Sequence, residues 1–490
     1  MDDSPLIRER IEKLAAWRAD GIEPYPWSFP GRRPTSEARQ RAERLGAGEA
    51  DAGPPVRVAG RLRAVRVHGR TAFFDLEDAA GRLQLIVRSD EVGTDRFDGW
   101  VRRFDPGDLL GADGRPARSK RGELSLDVTE LTLLAKAIAP PPEKFHGLQD
   151  AEERLRRRYV DLLASPDVRA RFRLRARLER AMRAYFDDHD FLGVETPVLL
   201  PVASGAAAAP FLTHSNWLDE TLQLRIALEL PLKRLLVGGL ERVYEVGPCF
   251  RNEDADTTHH PEFTMVEAYW AYADYHDMRG LIEGLFSRLA EVAADGAPPS
   301  SPAAQAAEAF RPPFRTIDFV EALEERSGLS SVPELSIEAL RAEVARFDPS
   351  VPSDAPVGKL LDRLFAQYVE PTLDAPTFVV DHPLATTPLA KAHRSKPGRV
   401  ERFELFYRRF ELANAYTELN DPIEQERRFR EQLSGRPDDR YAYDADFLEA
   451  LRYGLPPSTG VGFGLDRIAL AFTGAASIKD VILFPQVRRR

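Results

Sequence analysis

The chain is predicted to be α+β: a short N-terminal extension, a small closed β-barrel, and a larger domain in which helices flank an antiparallel sheet. Three observations carry this. Five short alternating runs follow one another closely from Val56. A proline-rich break, AIAPPPEKFHGLQD (137–150), then separates them from a segment of different character. Beyond the break, helical and strand patterns mix without a β-helix-β rhythm, which disfavours a doubly wound parallel sheet. The expected divisions are an extension at 1–50, the barrel at 51–142, a linker at 143–169 and the larger domain at 170–490, with an insertion around 294–350.

The extension starts with a helix, IRERIEKLAAWRADG, closed by Gly21; the prolines of EPYPWSFPGRRP then preclude regular structure. VRVAGRLRAV, RTAFFDLED, GRLQLIVRS, LLGADGRPA and ELSLDVTELTLL are the barrel strands. Their number and spacing suit a barrel of the OB type, a fold that commonly offers a strand face to single-stranded nucleic acid. Residues 56–74 carry five arginines and one histidine without an acid, which fits a phosphate-facing surface or a solvated strand face. On that face Phe73 can stack on a base and Gln84 can read its edge; a core phenylalanine and a surface glutamine are the alternative.

In the larger domain, ARFRLRARLERAMRAYFDDHDF (170–191) spaces its apolar residues as a helix, and FLGVETPVLL reads as a strand broken at Pro197. ERVYEVGPCFRNE and HPEFTMVEAYWAY form an antiparallel pair joined by DADTTH. Residues 294–312 are low in complexity and read as a loop. ERFELFYRRFELANAYTELND alternates again, and STGVGFGLDRIALAF is a glycine-rich strand running into a helix.

Composition sets outer limits. With 490 residues, 43% apolar and 30% charged, the chain can bury large cores and is neither disordered nor collagen-like. Cys249 is the only cysteine, so neither a disulfide framework nor a thiolate zinc site can form within one chain, and a reducing compartment fits. MDDSPLIRER lacks the order of a signal peptide and no apolar run is long enough to span a bilayer, so a cytoplasmic protein without membrane contact is expected. The net charge of −10 gives no global nucleic-acid signature, but residues 1–150 are balanced and the whole deficit lies after them.

Chemistry-bearing residues cluster in three stretches. FRNEDADTTHHPEF (250–263) sets a planar cation, Arg251, an acceptor, Glu253, and a flat ring, Phe263, around an acidic turn, a set suited to a nucleotide. His259 and His260 point to opposite faces, and without HExxH or a cysteine cluster a metal is rejected there. Glu404 and Glu411 can converge on paired strands, and carboxylates beside phosphates are the usual way to hold Mg²⁺. Glu418 lies an odd number of residues from Glu411, so alternation sends it to the opposite face unless a bulge intervenes. Asn414, Tyr416 and Glu418 share a face suited to an amine, and Glu229, on an apolar segment, needs a charged partner if buried. In GVGFGLDR (460–467) the glycines permit close approach, and Arg467 at a helix start favours phosphate, though GxxxxGK[ST] is absent.

Together these stretches resemble class II aminoacyl-tRNA synthetases, and the lysyl-tRNA synthetase family most closely, from about residue 56 onward. FLGVETPVLLP is similar to the family's first motif, which contributes to a homodimer interface; CFRNEDADTTHHPEFTMVEAYWAYADYHDM resembles the second and GVGFGLDRIALAFTGAASIKDVILFP the third. KFHGLQDAEERLRRRYVDLL, GAAAAPFLTH and ELANAYTELNDP are similar to segments of the lysine enzymes. The resemblance implies ATP, L-lysine and tRNA(Lys) as substrates and Mg²⁺ as cofactor. It implies that Arg251 grips the α-phosphate and the lysine carboxylate, Glu253 and His259 contact the nucleotide, Phe263 stacks on adenine and Arg467 holds the γ-phosphate. Glu404 and Glu411 match Mg²⁺ ligands. Glu229 matches the residue that receives the α-amino group, Gly205 lies in the amino-acid loop, and Glu267, Tyr269, Asn414, Tyr416 and Glu418 match the lysine pocket, with Glu418 and Tyr269 at the ε-ammonium. Arg66, Phe73 and Gln84 match anticodon-reading positions.

The chain departs from the family pattern in places. GGAAARPF appears as SGAAAAPF, with Ser204 and Ala209; APELY appears as ALELP, with Leu228 and Pro231; Pro248 and His260 are further replacements. The alternative reading is a diverged paralogue that adenylates lysine or a related amine for a non-tRNA acceptor; relatives of that kind tend to lack the barrel. A second rival, a nucleic-acid-binding protein without catalysis, is opposed by Arg251, Glu404, Glu411 and Arg467.

Overall fold

The computed structural model describes residues 4–141, 150–206, 208–434 and 444–488. The start of the expected linker, 143–149, and Ala207 of the SGAAAAPF stretch lie outside the described residues. The chain forms two compact units, 1–149 with 159–164, and 150–158 with 165–490.

In the first unit, α1 (Pro5–Ala19) is capped by Ser4 and has proline in its first turn, and Gly21 beyond its end takes the left-handed φ of +73°. Helix α2 (Thr35–Ala42) is not announced by the sequence pattern; its Thr35 hydroxyl donates to Asp78 at 2.6 Å, so a tertiary contact anchors it. Strands β1 (Val56–His68), β2 (Thr71–Asp78), β3 (Gly81–Arg88), β4 (Leu109–Arg118) and β5 (Leu124–Ala135) close a barrel in the order β1-β2-β3-β5-β4. The five predicted runs are these five strands. Helices α3 (Ser89–Val92) and α4 (Thr94–Arg103) join β3 to β4. Alternation sends Val58, Leu62, Phe74, Leu76, Leu85 and Leu126 inward, and Trp17 of α1 packs on Phe104 at 5.3 Å.

The short helices α5 (Ala151–Arg156), in the second unit, and α6 (Arg158–Ala164), largely in the first, precede α7 (Pro166–Asp188) of the second unit, whose Leu178, Met182 and Phe186 are fully buried. The FLGVETPVLL run splits around Pro197 into two fragments in different sheets, β6 (Leu192–Gly193) and β7 (Leu199–Leu200). Next come β8 (Leu212–Ser215), β9 (Glu220–Leu224), α8 (Glu229–Val237), β10 (Arg242–Phe250), β11 (Glu262–Ala271) and α9 (Tyr275–Ala294). The 294–312 stretch, expected as a loop, contains α10 (Pro302–Ala309), started by a Ser301 cap and Pro302. The rest comprises β12 (Arg315–Asp318), α11 (Phe319–Ser327), α12 (Ile337–Ala345), α13 (Val357–Tyr368), β13 (Thr377–Val380), β14 (Arg402–Tyr407), β15 (Phe410–Thr417), α14 (Pro422–Ser434), α15 (Ala445–Arg452), β16 (Ser458–Gly464) and α16 (Leu465–Thr473).

The large sheet runs β12-β13-β14-β15-β16-β11-β10-β6. It is antiparallel through its centre but parallel at both edges, β12 on β13 and β6 on β10, so the sheet is mixed. One face packs on α7, α9, α10 and α16 through a core that includes Phe186, Phe286, Phe403 and Phe463. The other is partly covered by α8 and α15 and is otherwise open.

Candidate active site

The open face holds a cavity of about 500 Å³. Gly205, Glu229, Arg251, Glu253, His259, Phe263, Glu267, Tyr269, Glu411, Asn414, Tyr416 and Arg467, all singled out from the sequence, line it. Glu418 and Glu404 sit behind its walls.

At one end, Arg251 leaves β10 with its guanidinium 5.1 Å from the centre of the Phe263 ring, which faces it from β11. The hairpin is stiffened from below by a buried pair: Arg225 lies 2.6 Å from Glu245 and donates to the Pro248 carbonyl. The adjacent histidines, in the loop ahead of β11, separate. His259 is exposed, with Nδ1 2.9 Å from Asp256 and Nε2 3.1 Å from an Arg467 Nη2. His260 is buried and accepts from the Gln486 amide, a structural role. At the start of α16, Asp466 turns inward and accepts from the Thr264 amide at 2.7 Å, which leaves Arg467 to face the cavity.

The parity conflict in 404–418 is resolved by a bulge. Leu405 pairs with Ala413 and Phe406 with Glu411, so Leu412 is the extra residue. It shifts the alternation by one, and Glu411, Asn414 and Tyr416 all line the cavity. On β14, Arg402 forms an ion pair with Glu404 and donates to Asn414 Oδ1 at 3.0 Å. Burial raises the Glu404 pKa; Arg402 opposes that rise, and the charges of Glu411, Asp362 and Glu370 add to it.

At the other end, two carboxylates hold one buried lysine. Lys233, one turn after Glu229 on α8, is fully buried with Nζ 2.5 Å from Glu229 Oε1 and 2.5 Å from Glu418 Oε2. Tyr416 donates to Glu229 at 2.7 Å. Tyr269, expected beside Glu418 at the ε-ammonium, donates its hydroxyl to Glu267 at 2.8 Å. Glu418 Oε1 is buried and has no hydrogen-bond partner among the described residues. The Glu267 pKa is pushed up to about 7, by burial and then by the charge of Glu229. Gly205 packs over Glu229 with φ +90°, where a side chain would be strained. The cavity thus joins a cationic, aromatic end to an end bordered by buried acids.

Sequence reasoning missed Lys233 and Arg402. Each had a signal: Lys233 stands four residues after Glu229 on one helical face, and Arg402 shares the alternating face of Glu404.

The profile described as tRNA synthetases class II (D, K and N) matches residues 150–488, and that of an OB-fold nucleic acid binding domain matches 56–134. The chain is 45% identical to the lysine–tRNA ligase of Roseiflexus castenholzii over 100% of both chains. It is 44% identical to that of Moorella thermoacetica, over 99% of this chain and 98% of the relative, and 41% identical to that of Bacillus subtilis, over 99% and 97%. The chain belongs to the lysine–tRNA ligase family.

Within this family member the departures have local reasons. Pro231 falls in the first turn of α8, where a missing N–H costs nothing. Pro248 lies where the outer edge of β10 is unpaired, since β6 covers only Val243 and Tyr244. Leu228, where proline is usual, has an N–H, and it donates to Glu267 at 3.0 Å. Ser204 donates to Asp444, which caps α15 and also accepts from Arg234 of α8, so the loop that carries Ser204 is tied to two helices. The Ala209 carbonyl accepts from the Asn252 amide at 2.7 Å.

In the barrel, Arg66 and Phe73 are cross-strand partners, and Gln84 faces Asp75 on the next strand. Arg66 makes a two-pronged pair with Asp75 at 2.6 and 2.8 Å, and Gln84 Oε1 accepts from Ser125. Phe73 is half-exposed while its neighbours Ala72 and Phe74 are buried. The β1-β2-β3 face of this ligase-family barrel therefore offers a ring, a guanidinium and an amide side by side.

Proposed function

We propose that the chain activates L-lysine with ATP, forming lysyl-adenylate and pyrophosphate, and transfers the lysyl group to the 3′ end of tRNA(Lys). The observation that carries this reading is the unpartnered, buried Glu418 oxygen at the anionic end of the cavity, which calls for a cation. Lysine fills that end with its ε-ammonium toward Glu418 and its α-ammonium toward Glu229, under Gly205. Tyr416 and Tyr269 fix the acids, and Asn414 borders the substrate backbone.

The lysine carboxylate then faces Arg251, which neutralises it together with the α-phosphate it attacks. Phe263 stacks on adenine, Glu253 and His259 border the nucleotide, and Arg467 meets the γ-phosphate. No side-chain nucleophile is needed, since positioning and charge neutralisation lower the barrier to phosphoryl-group chemistry. Glu404 and Glu411 would hold Mg²⁺. Their fit rests on paired oxygen donors from adjacent strands, β14 and β15, close enough for the Glu411 charge to act on Glu404. Among the described residues no three His, Cys, Asp or Glu side chains form a ready cage, which suits an ion shared with phosphates. When bound, the ion supplies further neutralisation of the phosphate oxygens.

Arg66, Phe73 and Gln84 are assigned to the anticodon bases. The barrel that carries them argues for tRNA rather than a protein or small-amine acceptor. A homodimer is supported by the exposed Leu199, Leu212, Trp217 and Leu218 around β7 and β8. Among the described residues no helix is long and apolar enough to cross a membrane, and a translation enzyme of this kind works in the cytoplasm. Pyrophosphate exchange with ATP, Mg²⁺ and each amino acid in turn tests the assignment. Exchange with lysine, followed by charging of tRNA(Lys), is expected; exchange with a different amino acid, or with none, would overturn it.

A further inference from the structure

Three acids gather at the amino-acid end of the cavity: Glu229 from α8 and Glu267 from β11 line it, and Glu418, just beyond the end of β15, stands behind its wall. One buried cation, Lys233, answers them, at 2.5 Å from both Glu229 and Glu418. Among the described residues no second cation pairs with these acids: β15 offers the Tyr416 phenol, with its ring centre 5.5 Å from Nζ, α15 the Phe447 ring at 5.8 Å, and β11 the Tyr269 phenol, which donates to Glu267. With all four groups ionised the formal charge is −2. The two ammonium groups of lysine carry +2.

We infer that Lys233 is a built-in countercation that sets the charge of the pocket to match a doubly charged amino acid and positions Glu229 and Glu418 to receive it. This rests on the reading of the cavity as a lysine site. Lys233 is a positioning residue: it stands behind the acids, on the helix that carries Glu229, and reaches substrate only through them. Three buried carboxylates without a cation could not all stay ionised at neutral pH; one would take up a further proton and lose its hold on an ammonium group. A neutral side chain in the substrate leaves Glu418 unpaired, so the same arrangement rejects apolar isosteres. The direction of the Lys233 pKa agrees: burial lowers it most, yet the charges of Glu229 and Glu418 carry it above the ordinary lysine value.

The test compares Lys233→Met, Lys233→Gln and Lys233→Arg with the unaltered protein in lysine-dependent pyrophosphate exchange from pH 6 to 9.5, with KM for lysine and ATP measured separately. Both neutral variants are expected to raise the lysine KM at pH 7 about tenfold or more and to move the ATP KM less than about twofold. The pH at which the lysine KM levels off should rise by about one unit or more, since one unit corresponds to a tenfold change. Lys233→Arg should keep the original midpoint whatever its rate. The inference is overturned if the neutral variants keep the original lysine KM and midpoint. It is equally overturned if lysine and ATP parameters worsen together at every pH, or if both neutral variants unfold, because Lys233 would then serve only the fold. Absence of lysine-dependent exchange in the unaltered protein is a distinct failure, that of the substrate assignment itself.

Discussion

Gly460 of β16 stands across from Tyr269 of β11, and a methyl group at 460 would overlap both the Tyr269 ring and Glu418 Oε1. The floor of the amino-acid end is therefore set by the absence of a side chain. Gly460→Ala is expected to raise the lysine KM at least about a hundredfold and to cost about 1–3 kcal/mol of stability from overpacking. Gly462→Ala meets Met265 and Glu267 at ordinary contact distances of 3.4 and 3.5 Å, so its effect on both measurements should be much smaller. Exchange kinetics and urea unfolding of the two variants check the contrast.

Glu418→Gln removes the acid assigned to the ε-ammonium and leaves Lys233 with Glu229 alone. Loss of one partner of a buried charge pair costs about 3–5 kcal/mol, so the lysine KM should rise roughly two to three orders of magnitude. The ATP KM should hold. A parallel rise in both would show that Glu418 supports the fold rather than the amine.

The pocket acids predict a pH dependence. Glu267 is raised to about 7 by burial and the nearby Glu229, and Glu418 to about 8 by burial, with Lys233 opposing and Glu229 and Glu267 reinforcing the rise. An acid must be ionised to hold an ammonium group, so the lysine KM should fall as pH rises from 6 to 8.5. In the lysine-free chain these acids bind more protons folded than unfolded, so their contribution to stability is present below the unfolded carboxyl range and is lost as pH rises through about 7 to 8. Thermal unfolding should accordingly show a larger stabilisation by lysine at pH 8.5 than at pH 6.

Arg467 is held 3.1 Å from the Glu411 carbonyl oxygen and 3.1 Å from His259 Nε2, between two residues assigned above to the nucleotide. Arg467→Ala should lower lysine-dependent exchange by about 10²–10³, the usual loss when a donor to developing charge is removed. Binding of tRNA, measured by filter retention, should stay nearly intact. Unchanged exchange would contradict the γ-phosphate role.

Phe73→Ala should raise the KM for tRNA roughly tenfold or more, as expected if base stacking contributes about 1–3 kcal/mol. The loss should be confined to the tRNA-dependent step. A fall in the thermal midpoint with no change in tRNA KM would assign the ring to barrel packing.

Much of this molecule was legible because local rules and tertiary structure agree in it. The barrel strands alternate cleanly between turn residues, and the β10–β11 hairpin shows its ends in proline, glycine and charge. Helix α2 was hidden because its anchor is a contact with Asp78, distant in sequence. The parallel edges of the large sheet were hidden because β6 and β12 are two and four residues long, too short to show a period. In the site, individual acids were readable, but the spacing that sets Lys233 beside Glu229 does not say that the pair is buried, because a buried lysine on an apolar helix has the same local signature as one that reaches solvent.

The extra residue at Leu412 works as a phase shift between two jobs. Ahead of it lies Glu411, assigned above to the nucleotide; after it lie Asn414 and Tyr416, assigned to the amino acid, and only the offset brings all three to one cavity. Deleting Leu412 would leave every other side chain intact yet turn either Glu411 or the Asn414–Tyr416 pair toward the apolar layer beneath α9. Single-residue insertions and deletions here should act all-or-none, whereas a two-residue change preserves the phase. Substitution can tune this strand, but only a change of length can uncouple its two halves.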